Sequence, residues 1–273
     1  MLHMIRLATM SSVCPDWTLD ETIAAMRRHG YAGYEPRVEW GHKAGVELTL
    51  TPAQRREVRK NFSEQGLTIC CVATGLKFAM ADAAERGRNA AKLREYIDLA
   101  GDLGAARVRI FGGARPDGNL CGIARYMAEA IRPTLTQAQQ RGVTVVMETH
   151  DDWCHAVSVR AVVREVNHPH FTALWDIMHT QRYGETPAES FGMLGPHIQH
   201  LHVHDGKYSA DGLKMDSCAL GQGVIDHAGP LCLLKQAGFD GFASLEVILK
   251  SGEGGKSEEV LKDYAVGLQP LLG

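Results

Sequence analysis

Residues 126–150 read YMAEAIRPTLTQAQQRGVTVVMETH. Apolar side chains recur at helical spacing through the first part, Gly142 stops the pattern, and a short apolar run follows that ends in Glu148 and His150. The segment predicts a helix closed by a left-handed glycine. The buried strand after it carries polar, metal-capable side chains at its end. This is one unit of a parallel α/β sheet.

The same unit repeats in both directions. Eight apolar runs predict strands: HMIRLAT (3–9), GYEPR (33–37), TICCVAT (68–74), RVRIFGG (107–113), TVVMETH (144–150), TALWDIMH (172–179), HLHVHD (200–205) and ASLEVIL (243–249). Between them lie helical patterns such as LDETIAAMRRHG (19–30), TPAQRREVRKNFSEQG (51–66) and NAAKLREYIDLAGDLG (89–104). Thr51-Pro52 reads as an N-cap with proline in the first turn, and Gly30, Gly66, Gly104 and Gly142 each read as left-handed stops. Eight units of about 34 residues suit a closed (β/α)8 TIM barrel, expected here as a single domain over 1–273. An open doubly wound sheet would place a glycine-rich phosphate loop after the first strand, and Met10-Ser11-Ser12-Val13 is not one.

Composition narrows the partners. Hydrophobic residues make up 45% of the 273 and charged residues 22%, enough for a large core. The net charge of −3 lacks the basic footprint of a nucleic-acid binder. No apolar run approaches the roughly 20 residues that cross a bilayer, and MLHMIRLATM has no secretory core or cleavage site. The expectation is a cytoplasmic protein without membrane or nucleic-acid partners. The seven cysteines form no CxxC pair and read as reduced, buried thiols.

In such barrels the active site lies at the C-terminal ends of the strands. The last four runs end in Glu148 with His150, Asp176 with His179, a histidine series at His200, His202 and His204 with Asp205, and Glu246. Residues two apart share a strand face, so Glu148 and His150 face one way, as do the three alternating histidines. Glu148, Asp176, His202 and Glu246 together offer three carboxylates and an imidazole. This hard donor set suits one divalent ion, Mn2+ first, with Mg2+, Zn2+ or Co2+ also able to bind. Any one acidic residue could instead cap a helix or pair with a cation. Four such groups on four successive runs make a shared ion the better reading. Trp153, just past the fifth run, is expected to offer an apolar floor to a substrate, whereas Trp175, beside Asp176, should face the other way into the core. His42 and Arg115 lie on loops able to close over a substrate.

Glu-Thr-His (148–150), Leu-Trp-Asp-Ile-Met-His (174–179), His-Leu-His-Val-His-Asp (200–205), Leu-Gly-Gln-Gly (220–223) and Ser-Leu-Glu (244–246) resemble the sugar phosphate isomerase/epimerase family of xylose isomerase-like barrels. The resemblance implies a metal site of Glu148, Asp176, His202 and Glu246. His202 takes the ligand place because Asp205 sets the register of the family's His-x-x-Asp pattern, and His204 then stands where many members have lysine. It places His150 and His179 near substrate, and it implies that Glu148 and Glu246 double as proton carriers on opposite faces. Lys207 is a further candidate to hold a hydroxyl or a developing oxyanion. Ketose 3-epimerases of this group add a glutamate where this chain has Cys154 and an arginine where it has Tyr208.

The expected activity is a metal-dependent isomerase or epimerase of a small sugar or keto-polyol, working through an enediolate by proton transfer next to a carbonyl. A dehydratase of an inosose or shikimate-type compound is the alternative on the same core. An apurinic-site endonuclease needs further histidines after the third and fourth runs, where ATGLKF and RIFGG have none. A non-catalytic metal-binding barrel is the remaining rival, and a homo-oligomer is left open.

Overall fold

The computed structural model describes residues 4–212 and 214–272; His3, which opens the first predicted strand, lies outside them. The strands are β1 (Ile5–Met10), β2 (Gly33–Glu35), β3 (Thr68–Ile69), β4 (Val72–Lys77), β5 (Arg107–Phe111), β6 (Thr144–Glu148), β7 (Phe171–Asp176), β8 (Ile198–Val203), β9 (Asp205–Tyr208), β10 (Met215–Cys218) and β11 (Gly241–Leu245). Nine of them form one parallel sheet in the order β3-β2-β1-β11-β8-β7-β6-β5-β4. β9 and β10 make a separate antiparallel hairpin beyond β8. The helices that cover the sheet include α1 (Leu19–His29), α2 (Pro52–Glu64), α3 (Ala83–Leu103), α4 (Leu120–Ile131), α5 (Leu135–Arg141), α6 (Ala156–Val166) and α7 (Ile177–Gln181).

The sheet curls into a nearly closed barrel, as expected, with one difference. The third predicted strand is broken at Cys70-Cys71, so its halves sit at the two ends of the sheet order. β3 pairs with β2 and β4 pairs with β5. The seam is held by Cys70 N–H to Tyr34 O at 2.8 Å, Ala73 N–H to Pro36 O at 2.9 Å and a lone parallel bridge between Arg37 and Ala73. Pro36 accounts for the interruption: it offers a carbonyl but no N–H, so the regular ladder along β2 stops at Glu35 and pairing resumes only at the Arg37–Ala73 bridge.

The punctuation read from the sequence is in place. Gly30, Gly66, Gly104 and Gly142 have φ of 73°, 69°, 74° and 66°, and Thr51 caps α2 in a capping box with Gln54. Two elements differ from expectation. The helical stretch before Gly142 is split near Pro133 into α4 and α5 by a short 3-10 turn. The run 172–179 leaves strand geometry at Asp176, whose side chain accepts the His179 N–H at 2.8 Å and starts α7. Asp176 thus has two uses, ending a strand and opening a helix, and both place its carboxylate at the barrel mouth.

Candidate metal centre

β11, β8, β7 and β6 are consecutive in the sheet, and each delivers one group to the same place. Asp176 and Glu148 are the last residues of β7 and β6, His202 is next to last in β8, and Glu246 follows β11. Register aligns them: Asp176 pairs with His202, and His202 with Ser244 two residues before Glu246. One ligand atom from each of Glu148, Asp176, His202 and Glu246 lies within 4.8 Å of every other. All four residues are buried.

Charges this close are expensive out of water unless balanced. His202 Nδ1 lies 2.9 Å from Glu246 Oε2 and 3.3 Å from Glu148 Oε1. Its Nε2 is 3.2 Å from Glu35 Oε1. Burial alone would lower the His202 pKa, but Glu35, Glu148 and Glu246 outweigh it and hold the imidazole well above its usual range. Burial likewise works to raise Glu246, yet His202, His204 and Arg109 hold it well below the carboxylate range. Asp176 is drawn down to about 2 against burial, by His179 and by His204, whose Nε2 lies 2.8 Å from Asp176 Oδ2.

The donor set fits a divalent cation. Three carboxylates and one imidazole are the ligands of a hard or borderline ion. Glu246 Oε2 is buried without an in-line hydrogen bond and lies 2.9 Å from His202 Nδ1, so it is held within the cluster by charge and not by a directed bond. With Nδ1 turned to the cluster and Nε2 to Glu35, His202 also has the acceptor behind it that orients a ligating imidazole.

Two residues of this centre were not anticipated. Glu35 on β2 also accepts from His200 Nε2 at 2.8 Å, linking two histidines. Arg109 on β5 donates to Glu148 Oε2 at 3.0 Å from a fully buried position. The alternation of charged with apolar residues in Arg107-Val-Arg-Ile-Phe was the available signal for Arg109. Glu35 gave none, because its partners are more than 160 residues away.

The remaining candidates divide. His179 is buried at the mouth, its ring 4.5 Å from that of His150 and 5.3 Å from that of His204, both edge-on. Burial lowers its pKa to about 3 against the opposing pull of Asp176, with His150 and His204 adding to the effect. His150 is part-exposed and lies against Phe111. Lys207 is exposed on β9, opposite Asp216 of β10, and is not drawn into the cluster. Trp153 corrects its expectation: it has no exposed surface, belongs to the hydrophobic core, and packs so tightly on Gly112 that a Cβ there would lie 2.2 Å from its ring. It therefore cannot floor a sugar. Trp175 is buried as expected, its Nε1–H bonded to Thr180 Oγ1 at 3.0 Å. Asp205 organises the loop beyond the hairpin, accepting from the N–H groups of Gly206, Gly221 and Gly223 at 2.8, 2.8 and 3.1 Å.

Residues 23–264 match the family described as xylose isomerase-like TIM barrel. A 3-dehydroshikimate dehydratase of Pseudomonas putida is 23% identical over 271 residues, 97% of this chain and 41% of that protein. The chain spans less than half the length of the first curated relatives it matches. Among solved structures, the IolI protein with a bound zinc atom is similar at a TM-score of 0.83 and 18% identity, over 98% of each chain. An L-ribulose 3-epimerase is similar at 0.78 and 19% identity, over 98% of this chain and 95% of that one. At these identities the two structures speak for the fold. No helix among the described residues is long and apolar enough to cross a membrane.

Proposed function

We propose that this chain, which belongs to the xylose isomerase-like TIM barrel family, is a divalent-metal-dependent isomerase or epimerase of a small sugar or keto-polyol. The observation that carries the reading is the convergence of Glu148, Asp176, His202 and Glu246 on one buried point from four consecutive strands. These four residues would hold the ion, with Glu35 fixing the ring of His202. A divalent ion there supplies Lewis-acid polarisation of a carbonyl and its neighbouring hydroxyl, which acidifies the C–H between them.

The chain's own groups then move the proton. Glu148 and Glu246 stand at the two flanks of the ligand row, with β7 and β8 between their strands. A substrate lying across the row meets one carboxylate on each side. One, ionised, would take the α-proton, and the other, carrying a proton acquired from solvent, would return it to the opposite face or the adjacent carbon, the two exchanging protonation states over the turnover. Arg109 holds Glu148 Oε2 and so fixes where that carboxylate points, while Glu246 Oε2 lies 2.9 Å from His202 Nδ1. His179, between the rings of His150 and His204, would hold a substrate hydroxyl. Proton transfer by positioned groups of this kind contributes about 10²–10⁴-fold.

The similarity to a 3-dehydroshikimate dehydratase favours a second reading, loss of a β-hydroxyl after the same proton abstraction. One experiment separates the two. The Mn2+-loaded protein is incubated in D2O with ketoses, inososes and keto acids. Deuterium entering the carbon next to the carbonyl, suppressed in Glu148→Gln and Glu246→Gln, is the expected result. Water loss accompanying exchange selects the dehydratase, and hydrolysis of a phosphoester or glycoside without exchange contradicts both.

A further inference from the structure

β2 ends at Glu35, and the chain leaves it through Pro36 over the mouth of the barrel. Arg37 is held there by its backbone: its N–H donates to Ser11 Oγ at 2.8 Å, and that hydroxyl lies 2.8 Å from His42 Nδ1. The guanidinium stacks on the ring of Trp40 at 3.7 Å, and this indole is 56% exposed. Arg37 is half-buried. Burial lowers its pKa, as does Arg109, while the negative charges of Glu246 and Glu148 act on it from the metal centre.

What Arg37 lacks is a carboxylate in contact. Among the described residues its side chain forms no ion pair, and its Nε is buried without a hydrogen-bond partner. Arg109 is the contrasting case, 1% exposed and already bonded to Glu148, so its charge is answered within the protein. A guanidinium removed from water normally has a partner. Stacking on an aromatic face pre-organises the planar fork, and that fork matches the two oxygens of a carboxylate or phosphate. A rigid, partly desolvated and unpaired fork at the edge of the centre is built to receive its partner from a ligand.

We propose that Arg37 is the anion-recognition residue of this site and that the substrate carries a carboxylate or phosphate group beside its hydroxycarbonyl unit. The inference rests on the reading that the centre binds a sugar-like substrate, and its test does not need turnover. Calorimetric titrations of the Mn2+-loaded protein compare glucitol, gluconate and glucitol 6-phosphate, three polyols without a carbonyl. One of the two anions should bind at least about tenfold more tightly than glucitol, and the one that does identifies the group. The advantage should vanish in Arg37→Gln and survive in part in Arg37→Lys, with manganese content unchanged in both. Equal binding of all three polyols overturns the proposal, as does a preference for the anion that persists in Arg37→Gln, because the ion itself would then be the receptor. Should Arg37→Gln fail to fold, Arg37→Lys carries the comparison, and an undiminished preference there overturns the proposal as well. Absence of deuterium exchange with these results intact would fault the proton-transfer chemistry and leave the recognition standing.

Discussion

At the level of single residues, His202 within β8 and His179 just beyond β7 have different surroundings and should fail differently. His202 is enclosed by Glu35, Glu148 and Glu246, whereas His179 lies between the rings of His150 and His204 with its Nε2 3.9 Å from Asp176 Oδ2. His202→Ala should lose metal. His179→Ala should keep its metal and lose about tenfold or more in kcat/KM, the scale of one lost polar contact to substrate; equal metal loss in both would refute the assignment. Glu35→Gln should weaken metal binding by about 10- to 100-fold, the usual effect of removing the group behind a ligating imidazole, as measured by competition with a chromogenic chelator. The four candidate ligands, whose convergence the fold shows, were legible in the sequence, because each is a polar residue at the end of an apolar run. Glu35 was not, since its role depends on barrel closure bringing β2 against the interior histidines of β8. Trp153 was misread for a related reason: its place just past a strand end suggested the mouth, while the close approach of Gly112 draws its ring into the core.

At the level of elements, the alternation of runs and amphipathic stretches foretold the strands and most helices, and the four glycine stops stand where the pattern put them. The break in the third strand was hidden because it arises from a partner segment, Pro36, and not from TICCVAT itself. The end of the strand at Asp176 was hidden because periodicity cannot distinguish a strand continuing through Ile177-Met178 from a helix whose first cap is the strand's last residue. The loop 220–223 makes a prediction at this scale. A Cβ on Gly223 would lie 2.0 Å from Asp205 Oδ1 and 2.4 Å from Gly206 O. Gly223→Ala should therefore push the loop off Asp205 and destabilise the protein by about 1–3 kcal/mol, seen as a lower midpoint in chemical denaturation; an unchanged midpoint would show that the loop is not anchored through Asp205.

At the level of the whole molecule, a closed sheet brings groups from residues 35 to 246 to one end of the barrel, and that end concentrates acidic side chains in its interior. Binding of an ion to the folded state alone should raise stability by about 2.7 kcal/mol at a hundredfold excess over Kd, a shift of roughly 5 °C in Tm. Chelation should reverse it, and a Tm indifferent to both metal and chelator would argue against an interior site. The most direct test of the account is elemental analysis of protein purified without chelator, beside Glu246→Gln of intact fold. The account predicts one divalent ion per chain in the wild type, as a single four-residue ligand set requires, and a loss of occupancy in the variant. An ion-free wild type, occupancy indifferent to Glu246, or a cluster of three ions per chain would contradict it.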